Sequence, residues 1–95
     1  PFNFPVALSV AMMTGALVAG NTVVYKPSPM AGLTGRLAVD CLVGAGLPPG
    51  VVNLVCGGAK VGQALVDHPH VDGIAFTGSH AVGMGIYRAM AARPY

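Results

Sequence analysis

The sequence contains no tryptophan and no glutamate, and only 8% of its 95 residues are charged. A freestanding globular domain carries about a quarter charged residues, because its surface must remain soluble. By contrast, 54% of this chain is hydrophobic. A length of 95 residues excludes several domains within this chain. The composition indicates part of one domain, residues 1–95, whose apolar surface is covered by other segments of a larger protein.

Charge of either sign is too scarce to form an extended charged surface. Five basic residues oppose three aspartates, which gives a net charge of +2. Binding to a nucleic-acid backbone requires a cluster or stripe of basic side chains. No nucleic-acid partner is therefore expected.

Cysteine is also scarce, with Cys41 and Cys56 as the two examples. Their spacing fits neither a CxxC pair nor a set of metal ligands, and both lie in apolar runs, so we expect reduced, buried thiols in a cytoplasmic protein. His68 and His70 flank a proline and have no third ligand at helical spacing. No metal site is predicted.

The first 25 residues carry no charged side chain, and residues 6–24 are long enough to span an apolar layer of about 30 Å. Gly20 and Asn21 interrupt this run, and residues 22–25 have the β-branched character of a strand. The pattern favours a helix, a turn and a strand. A transmembrane helix is the alternative, and no membrane association is predicted.

Hydrophobic periodicity and turn residues predict helices over 6–19 and about 31–45. A short helix is predicted to carry Val61, Ala64 and Leu65 on one side and to end before His68, and a last helix is predicted between the cap Ser79 and Arg93. Strands are predicted over 22–25, 51–55 and 74–77. This α-β-α-β-α-β-α order is typical of right-handed βαβ crossovers, and hence of a Rossmann-like α/β fold with a parallel sheet and flanking helices.

The same periodicity predicts which helical residues face the core. The first helix is expected to be buried almost all round. On the second and last helices the inner faces are predicted to comprise Leu33, Leu37, Ala38, Cys41, Leu42 and Ala45, and Val82, Ile86 and Met90, respectively.

In parallel sheets, ligands bind at the carboxyl ends of the strands. Here those ends are Lys26-Pro27-Ser28, Gly57-Gly58 and Gly78-Ser79, so a polar ligand with phosphates is expected. Neither a Walker loop nor the G-x-G-x-x-G fingerprint is present. Lys26 fits a solvated lysine, or a donor to a ribose or a phosphate. Ser79 fits a helix cap, an anion contact, or both.

Asn3 lies between two phenylalanines and two prolines. One interpretation is a turn-forming asparagine. The other is a rigidly held amide that donates to an oxyanion.

Four motifs, in this order and spacing, resemble the aldehyde dehydrogenase superfamily over essentially the whole chain. They are Pro1-Phe2-Asn3-Phe4-Pro5, residues 19–28 ending in Lys26-Pro27-Ser28, residues 45–53, and Phe76-Thr77-Gly78-Ser79 with Gly83.

The resemblance implies a role for each motif in an enzyme that uses NAD or NADP. Asn3 would donate to the oxyanion of a cysteine thiohemiacetal, and Phe2 would lie near the nicotinamide. Lys26, together with Ser28, would bind the adenosine ribose. Ser79, with Gly78, would contact the pyrophosphate, while Gly58, Ala59 and Val82 would line the adenine site.

The family oxidises an aldehyde to a carboxylic acid with a cysteine nucleophile and a glutamate base. This chain contains no glutamate, and neither Cys41 nor Cys56 matches the nucleophile's position. The resemblance therefore implies a partial NAD(P)-binding domain, with the catalytic and oligomerisation domains elsewhere in a homo-oligomeric parent that acts on a small-molecule aldehyde.

One departure concerns the cofactor, because the family commonly has glutamate where this chain has Pro29. That glutamate repels a 2′-phosphate, so the preference between NAD and NADP stays open. Two alternative functions also stay open. One is a non-catalytic binding or structural module, and the other is an acylating relative that forms a thioester.

Overall fold

The computed structural model describes residues 1–94, which form two compact units, residues 1–58 and residues 59 onward. The first unit contains α1 (Ala7–Val18), β1 (Val23–Tyr25), α2 (Gly32–Gly44) and β2 (Val52–Leu54). The second contains α3 (Ala59–Asp67) and α4 (His80–Ala91). A single 3₁₀ turn, Pro29–Ala31, precedes α2.

Glycine ends both long helices of the first unit. Gly20, with φ of 84°, follows α1, and the Asn21 amide donates to the Ala16 carbonyl across 3.1 Å. Gly46, with φ of 98°, follows α2 in the same way, and the Leu47 amide donates to Leu42. A residue without Cβ adopts this left-handed conformation without steric cost, so the predicted helix ends are confirmed.

The two strands pair in parallel, as predicted, with Val23, Val24 and Tyr25 opposite Val52, Asn53 and Leu54. Helix α1 packs on β1, and α2 packs on β2. The buried centre consists of Met13, Tyr25 and Val39. Partly buried side chains surround this centre, namely Val10, Val23, Leu42, Val52 and Leu54.

The second unit is held together where α3 and α4 end. Helices α3 and α4 pack together. The Arg93 guanidinium, just beyond α4, donates to the carbonyls of Val66, His68 and Val71. Carbonyls at a helix C-terminus lack intrahelical donors, and an arginine supplies several from one planar group.

Three predictions about burial are wrong. On α1, only Ser9 and Met13 are buried, so this helix has one inner face rather than being buried all round. On α2, the predicted inner residues Leu33 (76%), Leu37 (57%) and Ala45 are exposed, whereas Ala38 and Leu42 are partly buried as predicted. The fully buried residues of this helix are Gly35 and Val39. The cysteines are free of disulfides, as expected, but Cys41 and Cys56 are exposed.

The orientation of α2 has a steric cause. A Cβ at Gly35 would lie 3.0 Å from Cβ of Pro27 and 3.1 Å from Cε1 of Tyr25. The absence of a side chain at this position lets α2 approach the end of β1 closely. The face that carries Gly35 and Val39 therefore points inward, whereas Leu33 and Leu37 do not.

Two further differences concern the second unit. The predicted third strand, 74–77, is not formed in the described part of the chain, whose sheet has two strands. A strand exists only through its pairing, which a local β-branched pattern does not supply. On α4, Ile86 and Met90 are partly buried as expected, but Val82 is 52% exposed.

Across residues 1–94, no helix combines the length and apolar character needed to cross a membrane. Residues 6–24 instead form the predicted helix, turn and strand, because Gly20 ends α1 before β1 begins.

Candidate cofactor-binding site

Lys26 follows β1 directly, at the carboxyl end of the sheet. Its Nζ donates to the Gly57 carbonyl across 2.9 Å and to the Pro27 carbonyl across 3.2 Å. The first bond links the segments that follow the two parallel strands. A lysine ammonium has three donors, so one N–H remains for a further acceptor. The structure therefore holds one half-buried cation at the edge where the sequence predicted a ligand.

Ser28 and Pro29 lie beside this lysine. Ser28 is half-buried, and its carbonyl accepts from the Ala31 amide across 2.8 Å, which closes the 3₁₀ turn. Pro29 is exposed and occupies the first position of that turn, where its missing N–H costs no hydrogen bond. Position 29, where the resemblance implies glutamate, is thus exposed to solvent.

Gly58 and Ala59 lie where the segment that follows β2 ends and α3 begins. Gly58 is the last residue of the first unit, and Ala59 is the first residue of α3. Both are exposed. A Cβ at Gly58 would meet no atom within 4 Å, so its backbone is open to a ligand.

Asn3 and Phe2 precede α1 and are exposed, with Phe2 at 63%. Within residues 1–94 the Asn3 side chain makes no hydrogen bond, so its two amide N–H donors remain available to a ligand. A backbone hydrogen bond closes the turn that leads into α1, because the Leu8 amide donates to the Phe4 carbonyl across 3.4 Å. Asn3 is therefore not needed as a turn-closing side chain.

Ser79 caps α4, as predicted. Its Oγ accepts from the Val82 amide across 3.4 Å, and its carbonyl accepts from Gly83 across 3.0 Å. The His80 and Ala81 amides, first in the helix, have no intrahelical acceptor. They lie at the positive end of the helix dipole, which favours an anion.

A surface cavity of about 350 Å³ adjoins this helix end. Gly78 and Ser79, two of the predicted residues, line it, whereas Val82 does not. Other lining residues were not predicted as site residues: Phe76, Thr77, His80, Gly83 and Met84. The Phe-Thr-Gly-Ser motif was the available signal for Phe76, but nothing in the local sequence shows where an aromatic ring lies.

Each unit separately presents groups whose chemistry suits one part of a dinucleotide. A cation with a spare donor suits ribose hydroxyls, and exposed helix-terminal amides beside a serine suit a pyrophosphate. Across residues 1–94, no cluster of three or more His, Cys or Asp side chains could hold a metal ion.

Comparison with known proteins identifies the family of this chain. The model of the aldehyde dehydrogenase family matches residues 1–95. N-succinylglutamate 5-semialdehyde dehydrogenase of Caulobacter sp. strain K31 is 52% identical over 94 residues, which cover 99% of this chain and 19% of that protein. The same enzyme of Erwinia tasmaniensis is 48% identical, with the same coverage. The chain thus spans about a fifth of the length of these curated relatives.

Two solved structures share the fold. The 1-pyrroline-5-carboxylate dehydrogenase from Thermus with bound NAD has a TM-score of 0.90 and 46% identity, over 94% of this chain and 17% of that one. A variant of proline utilization A from Bradyrhizobium japonicum has a TM-score of 0.94 and 44% identity, over 98% and 10%. The α/β fold, the matched residues and the identities all agree: this chain belongs to the aldehyde dehydrogenase family.

Proposed function

We propose that residues 1–95 form part of the coenzyme-binding domain of an NAD(P)-dependent aldehyde dehydrogenase. The catalytic cysteine, the glutamate base and the oligomerisation domain lie outside these residues, and the complete enzyme is a cytoplasmic homo-oligomer. The observation that carries the proposal is the position of Lys26, a cation with a spare N–H at the carboxyl end of two parallel strands.

Each predicted residue has a role in this proposal. Lys26 donates to the adenosine ribose, with Ser28 beside it, while Gly58, Ala59 and Val82 contact the adenine. Ser79 and the first amides of α4 bind the pyrophosphate, and Gly78 allows its close approach. Phe2 lies near the nicotinamide, which when bound accepts a hydride from the substrate carbon.

Asn3 is the chain's contribution to the chemistry. When a thiolate adds to the aldehyde, the carbonyl oxygen becomes an oxyanion, and the free Asn3 amide donates to it. The exposure of Asn3, and its lack of a hydrogen bond within the described residues 1–94, support this role. The product is a carboxylic acid, released by water from a cysteine thioester.

The substrate class follows from the relatives. The Caulobacter and Erwinia enzymes are named for N-succinylglutamate 5-semialdehyde. We therefore propose a small semialdehyde of this type as the substrate. Support for NAD comes from the Thermus relative, whose structure contains bound NAD. Because Pro29 carries no negative charge to repel a 2′-phosphate, we also propose that NADP can bind.

The test is a direct measurement of NAD⁺ affinity in the full-length protein. Loss of a charge-assisted hydrogen bond weakens binding by about 1.5 to 3 kcal/mol, so Lys26→Met should raise the Kd for NAD⁺ by roughly tenfold or more. Arg36→Met is the matched control, because Arg36 is an exposed cation paired with Asp40 on α2.

Because Lys26 also bonds Gly57, the melting temperature of the NAD-free variant must be measured alongside. An unchanged Kd in a folded Lys26→Met protein would contradict the assignment of the lysine. Absence of semialdehyde-dependent NAD⁺ or NADP⁺ reduction by the full-length protein would contradict the proposed activity.

A further inference from the structure

The Phe76 ring occupies a specific place in the second unit. A Cβ built on Gly78 would lie 2.5 Å from Cζ of Phe76, and a Cβ built on Gly83 would lie 3.5 Å from its Cε1. The ring therefore covers two glycines, one in the turn before α4 and one in the first turns of α4. No larger residue fits at Gly78 while the ring stays where it is.

This contact joins the turn to the helix. Gly78 directly precedes the capping residue Ser79, and the Gly83 amide donates to the Ser79 carbonyl. A ring that rests on both glycines restricts the rotation of the turn relative to α4. The direction of the Ser79 hydroxyl and of the first amides of α4 depends on that rotation.

We infer that Phe76 is a positioning residue, whose ring holds the Gly78–Ser79 turn against Gly83 and so aims the start of α4 at the cofactor's pyrophosphate. This inference rests on the proposed function for its ligand. It assigns Phe76 no contact with the cofactor and no part in the chemistry. Gly78 and Gly83 are then required by the ring as well as by the ligand.

Phe76 is 41% exposed, so its ring can swing aside. A methyl group at position 78 should displace the ring rather than unfold the protein. This property separates two explanations for an effect of Gly78→Ala. Either the displaced ring releases the turn, or the methyl group itself blocks the ligand.

The experiment is a double-mutant cycle in the full-length protein, with the Kd for NAD⁺ measured by calorimetry. Gly78→Ala should raise the Kd about tenfold when Phe76 is present, but by about twofold or less in a Phe76→Leu background, where the ring is already absent. The kcat at saturating NAD⁺ should change much less than the Kd. Gly85→Ala is the control, because a Cβ there meets no atom within 4 Å.

An equal factor in both backgrounds would overturn the inference, since the methyl group would then act directly on the ligand. No effect in either background would overturn it as well. Amide hydrogen exchange of residues 78–84 without cofactor tests the ring independently of NAD⁺. Gly78→Ala should speed exchange at Val82 and Gly83 only when Phe76 is present. If the wild-type protein binds no NAD⁺, that result contradicts the proposed function but not the role of the ring.

Discussion

The hydroxyl of Tyr25 donates to Oγ of Ser9 across 2.8 Å, and both side chains are buried, at 8% and 2% exposure. The bond joins β1 to α1 at the centre of the first unit. A buried hydroxyl without a partner costs about 1 to 3 kcal/mol, so this pair fixes α1 against the strand that leads to Lys26. Asn3 and Phe2 lie in the segment that leads into this helix.

The two partners of this pair should respond differently to mutation. Ser9→Ala leaves the Tyr25 hydroxyl buried without its acceptor and should destabilise by about 1 to 3 kcal/mol. Tyr25→Phe should lower the free energy of unfolding by less than Ser9→Ala does, because the hydroxyl of a helical serine can donate a hydrogen bond to a backbone carbonyl one turn earlier. The double variant should be more stable than Ser9→Ala alone in thermal melting of the full-length protein. A double variant less stable than either single one would contradict the coupling.

Gly35 should tolerate no side chain. A Cβ there would lie 3.0 Å from the Pro27 ring, which is buried and cannot move aside. Gly35→Ala should therefore destabilise by about 1 to 3 kcal/mol despite the higher helix propensity of alanine. Gly15→Ala in α1 is the control, since a Cβ there meets nothing within 4 Å, and it should stabilise by up to about 1 kcal/mol. Equal melting temperatures for the two variants would show that α2 does not approach β1 as described.

Asn3→Ala should lower kcat of the full-length enzyme by about 10² to 10³ and leave the Kd for NAD⁺ nearly unchanged, because an oxyanion donor acts on charge that develops during the reaction. Asn21→Ala is a suitable control: the Asn21 amide donates to the Ala16 carbonyl at the end of α1. Steady-state and pre-steady-state kinetics should be compared. If kcat holds while chemistry limits the rate, Asn3 is not the oxyanion donor.

Pro29 should widen the choice of cofactor. With no acid at this exposed position, the missing repulsion of a 2′-phosphate is worth roughly 1.4 kcal/mol or more, so kcat/KM with NADP should lie within about tenfold of that with NAD. Pro29→Glu should shift the preference toward NAD. Kinetics with both cofactors on the two proteins check this. A wild-type preference for NAD of about a thousandfold would mean that another group reads the ribose.

The isolated 95-residue chain should be inactive and poorly folded. It has no glutamate, and its large exposed hydrophobic side chains include Phe4, Met30, Leu33 and Tyr87. A chain of this size buries only about 60 to 65% of its unfolded surface, so its core is marginal. Dye binding to exposed apolar surface and a dehydrogenase assay test both points. Aldehyde-dependent NAD⁺ reduction by the purified 95-mer would contradict the placement of the nucleophile and base elsewhere.

The sequence alone predicted the features that depend on a few neighbouring residues. Gly20 and Gly46 ended their helices, and Ser79 capped α4, because each effect involves backbone groups within five positions. The parallel pairing of β1 and β2 followed from the helix between them. The motifs around Asn3, Lys26 and Ser79 also identified the family, since side-chain order and spacing are written in the sequence.

Tertiary structure decided which helix face points inward, which segments pair as strands and which distant side chains make contact. Periodicity placed Leu33 and Leu37 inside, but the close approach of Gly35 to Pro27 turned another face of α2 inward. Residues 74–77 have the composition of a strand, yet strand formation requires a pairing that composition does not encode. The hydrogen bond from Lys26 to Gly57 joins residues that are far apart in the sequence. The position of the Phe76 ring over Gly78 depends on the rotamer of that side chain. Such contacts depend on the packing of the whole unit, so no local pattern in the sequence could have specified them.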